Sequence, residues 1–409
     1  MKCRHCGTVL VSNFLDLGFS PPSNSYLNEN SMNAYEKYFP LRVLVCESCW
    51  LVQTEDFNAP EDLFDSEYAY FSSFSNSWLK HSAEYVGKIT ERLCLNESSY
   101  VVEVAANDGY LLQFFKENGI PCLGIEPTTS TANVAREKGL EIVEEFFSQS
   151  LAEKIKKQKG PASLVIANNV LAHVPQINDF VSGFEVLLDE DGVATFEFPH
   201  LVNLIKDNQF DTIYHEHFSY LSLTAVDNIF RANGLEVFDV EELPTHGGSL
   251  RVYAQRSGFG RFKIEHSVGR LQRYEGSLGL TSSDYYKNFQ SKIDKLKNNF
   301  VDFLIKMSNL EKIVVGYGAA AKGNTLLNYA GIKPDLIKFI IDKNDKKIGR
   351  YMPGSHIPIV HEDMLKKTQP DYVVIFPWNL TAEIVEQISY IREWGGKFVV
   401  ATPELKIFD

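Results

Sequence analysis

Two of the ten histidines in this 409-residue chain stand one residue apart with a carboxylate between them, in Tyr214-His215-Glu216-His217-Phe218-Ser219-Tyr220. The spacing is not His-Glu-x-x-His, so it does not set two histidines one helical turn apart around a catalytic zinc. In an extended or irregular loop His215 and His217 share one side and Glu216 faces the other. An imidazole, with an ordinary pKa of about 6.5, beside a carboxylate is a general base suited to neutral pH. A solvated polar loop is the plainer alternative, and the flanking aromatics weigh against it. A second dense run of aromatics and hydroxyls, Tyr68-Ala-Tyr70-Phe-Ser-Ser-Phe-Ser-Asn76, could line a sugar pocket or simply pack.

Four of the six cysteines form two pairs, Cys3-x-x-Cys6 and Cys46-x-x-Cys49. Paired thiolates two residues apart suit a tetrahedral zinc ion, and four of them close its coordination shell, which makes the ion structural. A redox Cys-x-x-Cys would need a thioredoxin-like βαβ unit around it, which the sequence does not offer. The long connection between the pairs leaves room for a strand or hairpin within 9–45, and Pro21-Pro22-Ser23-Asn24 reads as a loop. A metal also compensates for the small core that about 60 residues can build. Cys94 and Cys122 sit among apolar neighbours and read as core residues.

From residue 99 onward strand-like and helix-like stretches alternate, the pattern of a parallel sheet covered by helices. Expected strands are Tyr100–Ala105, Cys122–Glu126, Glu141–Glu144, Ser163–Ala167, Val193–Phe198, Leu235–Val240 and Leu250–Gln255. The first runs into Glu103-Val-Ala-Ala-Asn107-Asp108-Gly109 and then a helix over Tyr110–Asn118. A tight turn between a strand and a helix N-terminus is where an open α/β sheet binds a nucleotide-like ligand. Glu126 closes the next strand about 20 residues on, where a carboxylate can accept both hydroxyls of a ribose. The turn lacks Gly-x-Gly-x-x-Gly and only Gly109 stands at a glycine position. A ligand with ribose and adenine but no phosphate therefore fits better than a dinucleotide, and S-adenosylmethionine is such a ligand. Taken singly, the turn and the acid are ordinary; their order and spacing make them a nucleoside site. Asn168-Asn169-Val-Leu-Ala-His173 follows the fourth strand, placing Asn168, Asn169 and His173 in the same crevice.

Residues 281–309 carry apolar side chains at three- and four-residue steps and read as one long amphipathic helix, a domain connector rather than a membrane or partner helix. Beyond it, strand Lys312–Val315 enters Gly316-Tyr-Gly318-Ala-Ala-Ala-Lys322-Gly323-Asn324. Strands Ile337–Ile341 and Tyr372–Phe376 follow, with Phe398–Ala401 as the last. This is Rossmann-like, and a glycine-rich turn at a helix N-terminus beside Lys322 suits a diphosphate. A small α/β domain that binds nothing is the alternative. His246 and Arg251 could reach the same diphosphate.

The expected fold class is thus α/β: a zinc-binding domain (1–74), a Rossmann-like nucleoside-binding domain (75–260), a helical connection (261–310) and a C-terminal Rossmann-like domain (311–409). With 40 Lys+Arg against 53 Asp+Glu the formal charge is −13. No basic stripe is present for nucleic acid. No apolar run approaches the roughly 20 residues that span a bilayer, and the first residues hold no signal-like apolar stretch. A cytoplasmic protein without membrane or protein partner is expected.

Taken in order, the cysteine pairs, the Tyr68–Asn76 run, Glu103–Gly109, Asn168–His173, Tyr214–His217, His246-Gly-Gly-Ser-Leu-Arg251 and Gly316–Asn324 resemble the nucleotide-sugar C-methyltransferases that make branched deoxysugars. The resemblance spans essentially the whole chain. It implies that 75–260 is a class I, Rossmann-like methyltransferase domain, and that structural zinc sits on Cys3, Cys6, Cys46 and Cys49. It also implies S-adenosylmethionine at Glu103, Asn107, Gly109, Glu126 and Asn168, and a nucleotide-diphosphate sugar as substrate. His217 becomes the base, with Glu216, Tyr214, His173 and Tyr68 around the sugar. Tyr70, Asn169, His246, Arg251, Lys322, Gly323 and Asn324 are the candidate substrate contacts. The expected reaction is methyl transfer to C3 of a 4-keto-6-deoxy sugar through an enolate. A keto-sugar epimerase or isomerase, and a non-catalytic zinc-stabilised nucleotide-sugar-binding protein, are the alternatives.

Overall fold

The computed structural model describes residues 1–55, 57 and 71–409, arranged around three sheets. Tyr68 and Tyr70 lie outside the described residues.

Strands β1 (Ser12–Ser20), β2 (Phe39–Val45) and β3 (Val52–Thr54) form an antiparallel meander. A fourth strand, β9 (Ser219–Tyr220), joins it from far along the chain by pairing with β3. Phe14, Leu15, Val43 and Val45 are buried in one cluster with the helix Phe289–Asn309, and the rings of Phe14 and Phe289 stack at 4.7 Å. Burial of such side chains, at roughly 1.5–3 kcal/mol each, fixes the small module on the rest of the chain.

The central sheet holds β4 (Val101–Val104), β5 (Cys122–Ile125), β6 (Ile142–Val143), β7 (Ala162–Asn168), β8 (Leu188–Pro199), β10 (Leu235–Leu243) and β11 (Ser249–Arg256). Their order is β10-β11-β8-β7-β4-β5-β6, with β4 to β8 parallel and β11 antiparallel to both its neighbours. Strand β7 is almost wholly buried and apolar, as a strand covered on both faces must be. The chain moves from β4 outward to β5 and β6, then returns to place β7 on the other side of β4. That reversal opens the crevice at the carboxyl ends of β4 and β7.

The third sheet runs β14 (Ile359–Val360), β13 (Ile340–Ile341), β12 (Val314–Tyr317), β15 (Tyr372–Ile375), β16 (Lys397–Val400), β17 (Lys406–Phe408). All neighbours are parallel except the last pair. Its own reversal lies between β12 and β15. Its edges are two short strands, and one of them, β17, follows the strand at Lys397–Val400, so Phe398–Ala401 is not the last as expected.

Three further expectations are corrected. The stretch 281–309 is not one helix: Gly279, in the left-handed region, ends the helix His266–Leu278, a 3-10 turn spans Ser283–Tyr285, and the helix proper is Phe289–Asn309. Tyr286 keeps its buried place but serves the turn, donating its hydroxyl to the Leu280 carbonyl at 2.8 Å. Cys94 is exposed, as the left-handed cap of the helix Asn76–Leu93, and Cys122 is half-buried, so neither is a core thiol. Among the described residues no helix is long and apolar enough to cross a membrane.

Candidate active site

The four cysteine Sγ atoms lie within 4.8 Å of one another, Cys3 3.6 Å from Cys49 and Cys6 3.4 Å from Cys46. Sulfurs at 2.3 Å from a tetrahedral zinc are about 3.8 Å apart, so the set fits the ion with no position left for a substrate. Each pair closes the same way. Gly7 N–H donates to the Cys3 carbonyl at 3.0 Å and Trp50 N–H to that of Cys46 at 2.8 Å. Gly7 and Trp50 both have positive φ.

At the end of β4, Ala105 (φ 58°), Asn107 (φ 49°) and Gly109 (φ 75°) alternate in the left-handed region. The backbone of a glycine-rich turn is therefore kept with glycine at one position only, at a cost of about 1 kcal/mol or more for each side chain held there. A side chain at Gly109 would be crowded as well as strained, its Cβ 2.3 Å from Leu140 Cδ1 and 3.3 Å from Ala135 Cβ. Glu126 accepts the N–H of Asn107 and that of Thr128, both at 2.9 Å, and so fastens the turn to the next strand. Each carboxylate oxygen keeps another lone pair for a ribose hydroxyl. Burial pushes its carboxyl upward, and those two N–H groups oppose the rise. Glu103 is buried within β4 beside the Tyr110 hydroxyl, and burial drives it well above the carboxylate range. Asn168 Oδ1 and both polar atoms of the Asn169 side chain are buried without partners, as befits groups kept for a polar ligand. These features fit S-adenosylmethionine.

The segment Tyr214–His217 is a tight turn, His217 N–H donating to the Tyr214 carbonyl at 2.9 Å. Because the chain turns rather than extends, His215 and His217 do not share a side. His215 Nε2 donates to the Phe39 carbonyl at 3.3 Å on the N-terminal sheet. Glu216 accepts from Asn24 Nδ2 at 2.7 Å, and burial raises its pKa to about 7. The His217 ring lies 4.0 Å from that of Tyr214 and meets His173 edge-on at 4.5 Å. Its Nδ1 is 2.8 Å from the Thr212 carbonyl, which only accepts, so Nδ1 carries the proton and Nε2 the lone pair. Burial, the neighbouring His173 and the nearby Lys322 charge hold His217 well below 6.5, so it is neutral; burial takes His173 to about 4.

The third sheet brings its own switch point within electrostatic reach of His217. Lys322, after β12, donates to Asn379 Oδ1 at 2.7 Å and lies 4.1 Å over the Trp378 ring, both after β15. Trp378 Nε1 donates to Asp211 Oδ2 at 2.8 Å, and the same ring packs under Gly247, where a Cβ would lie 2.5 Å from it. Burial pulls Lys322 down to about 8, with Asp211 opposing. His246, at φ 54° in the β10–β11 turn, is taken to about 4 by burial and by Lys322. Lys322, His246, His173, Tyr214 and His217 thus converge. Gly323 serves the packing of the helix Ala321–Ala330, since a Cβ there would meet Phe376, whereas Asn324 is fully buried with both polar side-chain atoms unpartnered, the condition of Asn169. Arg251 is not available to a diphosphate. It is buried in an ion pair with Glu197, under the Tyr85 ring.

Several residues escaped the sequence reading. Glu197 collects His81, Arg251 and Thr245, which, against burial, hold its pKa down to about 2. Trp78 stacks on His81 and meets His246 edge-on. Asn24, Thr212, Trp378 and Asn379 carry no signal in a single sequence, since each acts through a side chain more than fifty residues away or through a backbone atom.

Sheet order, turn and acid define an S-adenosylmethionine-dependent methyltransferase carrying a zinc-binding module. Family models match consecutively: a zinc binding domain over residues 3–64, a methyltransferase domain over 78–240 and a C-methyltransferase C-terminal domain over 244–403. Over 406 residues the chain is 33% identical to C-methyltransferase NovU of Streptomyces niveus, covering 99% of this chain and 96% of that one. The chain belongs to this C-methyltransferase family. Solved structures similar to it include a SAM-dependent methyltransferase from Anabaena variabilis (TM-score 0.38, 13% identity, 49% of this chain and 96% of that one). Another is magnesium protoporphyrin IX methyltransferase from Synechocystis (TM-score 0.36, 14% identity, 50% and 100%).

Proposed function

We propose that the chain methylates C3 of a nucleotide-linked 4-keto-6-deoxy sugar, with His217 removing the C3 proton. The observation that carries this reading is the tautomer of His217: Nδ1–H is committed to the Thr212 carbonyl, which leaves Nε2 as a basic nitrogen in a pocket shared with Tyr214 and His173. A carbon next to a ketone releases its proton because the charge moves onto oxygen as an enolate. The Thr212 carbonyl then stabilises the imidazolium through the Nδ1–H it already holds. Bound S-adenosylmethionine supplies the electrophilic sulfonium methyl. Tyr214 is a described side chain that can donate to the enolate oxygen; the neutral His173 ring gives its one N–H to the Glu216 carbonyl and so packs beside His217 rather than donating.

A neutral, weakly basic His217 is reconciled with this role by charge. Lys322 is one of the groups that disfavour its protonation. A substrate diphosphate near Lys322 cancels that effect, so substrate arrival raises the basicity of His217 at the moment it is needed.

The test is to incubate 4-keto-6-deoxy nucleotide-sugars with the enzyme and S-adenosylmethionine in deuterated water and to weigh the products. A mass gain of one methyl supports the reading. Deuterium gain without a methyl assigns an isomerase, and no change in any such sugar rejects the substrate class.

A further inference from the structure

We propose that Arg4, which stands between the first two zinc-ligating cysteines, is a positioning residue that ties the metal knuckle to both loops carrying the paired histidines His173 and His217. The inference rests on the reading of that pair as the reacting centre.

The geometry runs outward from the cysteines in two directions. Gln53 Nε2 donates to Cys3 Sγ at 3.2 Å while its Oε1 accepts the Arg4 backbone N–H at 2.9 Å, so one amide side chain braces the knuckle against β3. The Arg4 guanidinium donates to the Thr54 carbonyl at 2.9 Å and to the Pro175 carbonyl at 3.5 Å, and lies 5.3 Å over the Phe218 ring. Thr54 in turn donates its N–H to the Phe218 carbonyl at 3.1 Å and its hydroxyl to the His217 carbonyl at 3.3 Å. Pro175 lies two residues beyond His173. The adjoining His5 pairs with Asn178, at 2.7 Å between Nδ1 and Oδ1, with Asn178 Nδ2 returning to the His5 carbonyl at 2.8 Å.

The zinc site therefore does more than hold a small sheet together. Strand β9 completes that sheet directly after the Tyr-His-Glu-His turn, and Arg4 reaches from the knuckle to both histidine loops. A planar guanidinium can serve two carbonyls and cover a ring at once; the point charge of lysine cannot. Loss of Arg4 frees the His173 loop and the His217 loop to drift relative to each other, and a displacement of about 1 Å in a reacting pair costs roughly 10²-fold in rate.

The experiment compares full-length, zinc-loaded wild type with Arg4→Gln and Arg4→Lys. Zinc content is measured by plasma mass spectrometry, S-adenosylmethionine affinity by calorimetry and methyl-transfer kcat and KM on the sugar substrate. Histidine ring resonances are followed by NMR on protein labelled at Cε1. Expected are one zinc per chain, wild-type cofactor affinity, kcat lower by about 10²-fold in Arg4→Gln without rescue by Arg4→Lys, and displaced resonances of His173 and His217. Unchanged kcat with unchanged resonances overturns the proposal. So does a kcat that falls only in proportion to zinc lost, since Arg4 then merely retains metal. His217→Asn assayed alongside separates the two ideas: a fully active variant defeats His217 as base, whereas the resonances report on the tie itself.

Discussion

His217 Nδ1 donates to the carbonyl of Thr212, five residues back in the same loop, at 2.8 Å. That one bond decides which nitrogen is basic. His217→Asn can return an amide N–H toward the carbonyl but offers no basic lone pair. Single-turnover methyl transfer is expected to fall by about 10²–10⁴-fold. Calorimetric affinity for S-adenosylmethionine is expected to persist, because the cofactor turn lies on other strands. Full activity, or a variant that no longer binds the cofactor, removes His217 from the role of base.

Glu216 gives a stability test with a definite sign. Burial raises its carboxyl from 4.5 to about 7, with Asn24 opposing. The folded state therefore holds its proton more tightly than the unfolded chain. Its contribution is fully present below pH 4.5 and is lost as pH rises through about 7. The whole span corresponds to roughly 3 kcal/mol as an upper figure. Glu216→Gln keeps an amide of the same shape with no proton to lose. Denaturant melts at pH 5 and pH 8 should show the variant gaining on wild type at the higher pH; a parallel loss at both pH values contradicts the assignment.

Local chemistry made the zinc knuckles and the order of strands legible in the sequence. Two Cys-x-x-Cys pairs admit few readings, and the apolar runs of β4, β5 and β7 announce a parallel sheet. The cofactor turn was half legible. Ala105 and Asn107 adopt the left-handed backbone that glycine would have advertised, because the flanking strand and Glu126 impose it. The Tyr-His-Glu-His segment shows its residue types in the sequence but not its geometry, since the turn is set by the partners of His215 and Glu216 on the N-terminal module. Arg251 looked like a diphosphate ligand only because its partner, Glu197, lies 54 residues earlier in the chain.

Glu126 joins the cofactor turn to the loop after β5 through the N–H groups of Asn107 and Thr128. Its replacement leaves those two N–H groups to water and, on the proposed cofactor placement, removes the acceptor for ribose hydroxyls. A hydrogen bond to a charged group is worth about 1.5–3 kcal/mol. Glu126→Ala should therefore weaken S-adenosylmethionine binding by roughly 10- to 100-fold in calorimetry. Zinc content, measured in parallel, should not change, because the cysteine knuckles lie on another sheet. Unaltered cofactor affinity would reduce Glu126 to a loop fastener.

Lys322 stands where the two switch points face each other, over Trp378 and within electrostatic reach of His217 and His246. Two effects are expected from Lys322→Met, one on the pH profile and one on KM. Removing a cation lets both imidazoles accept protons more readily, so the acid limb of the kcat/KM profile moves to higher pH. In the proposed reaction, removing it also takes away a partner for the substrate diphosphate, so KM for the nucleotide-sugar rises by about tenfold, the loss of one charge-assisted contact. Stopped assays across pH 5–9, with substrate varied at each pH, separate the two. Met retains the apolar stem that packs on Trp378, so the β12–β15 loops should keep their place. A KM rise without movement of the acid limb would place Lys322 at the diphosphate alone. Movement of the limb at unchanged KM would make it a regulator of His217 that the substrate does not touch.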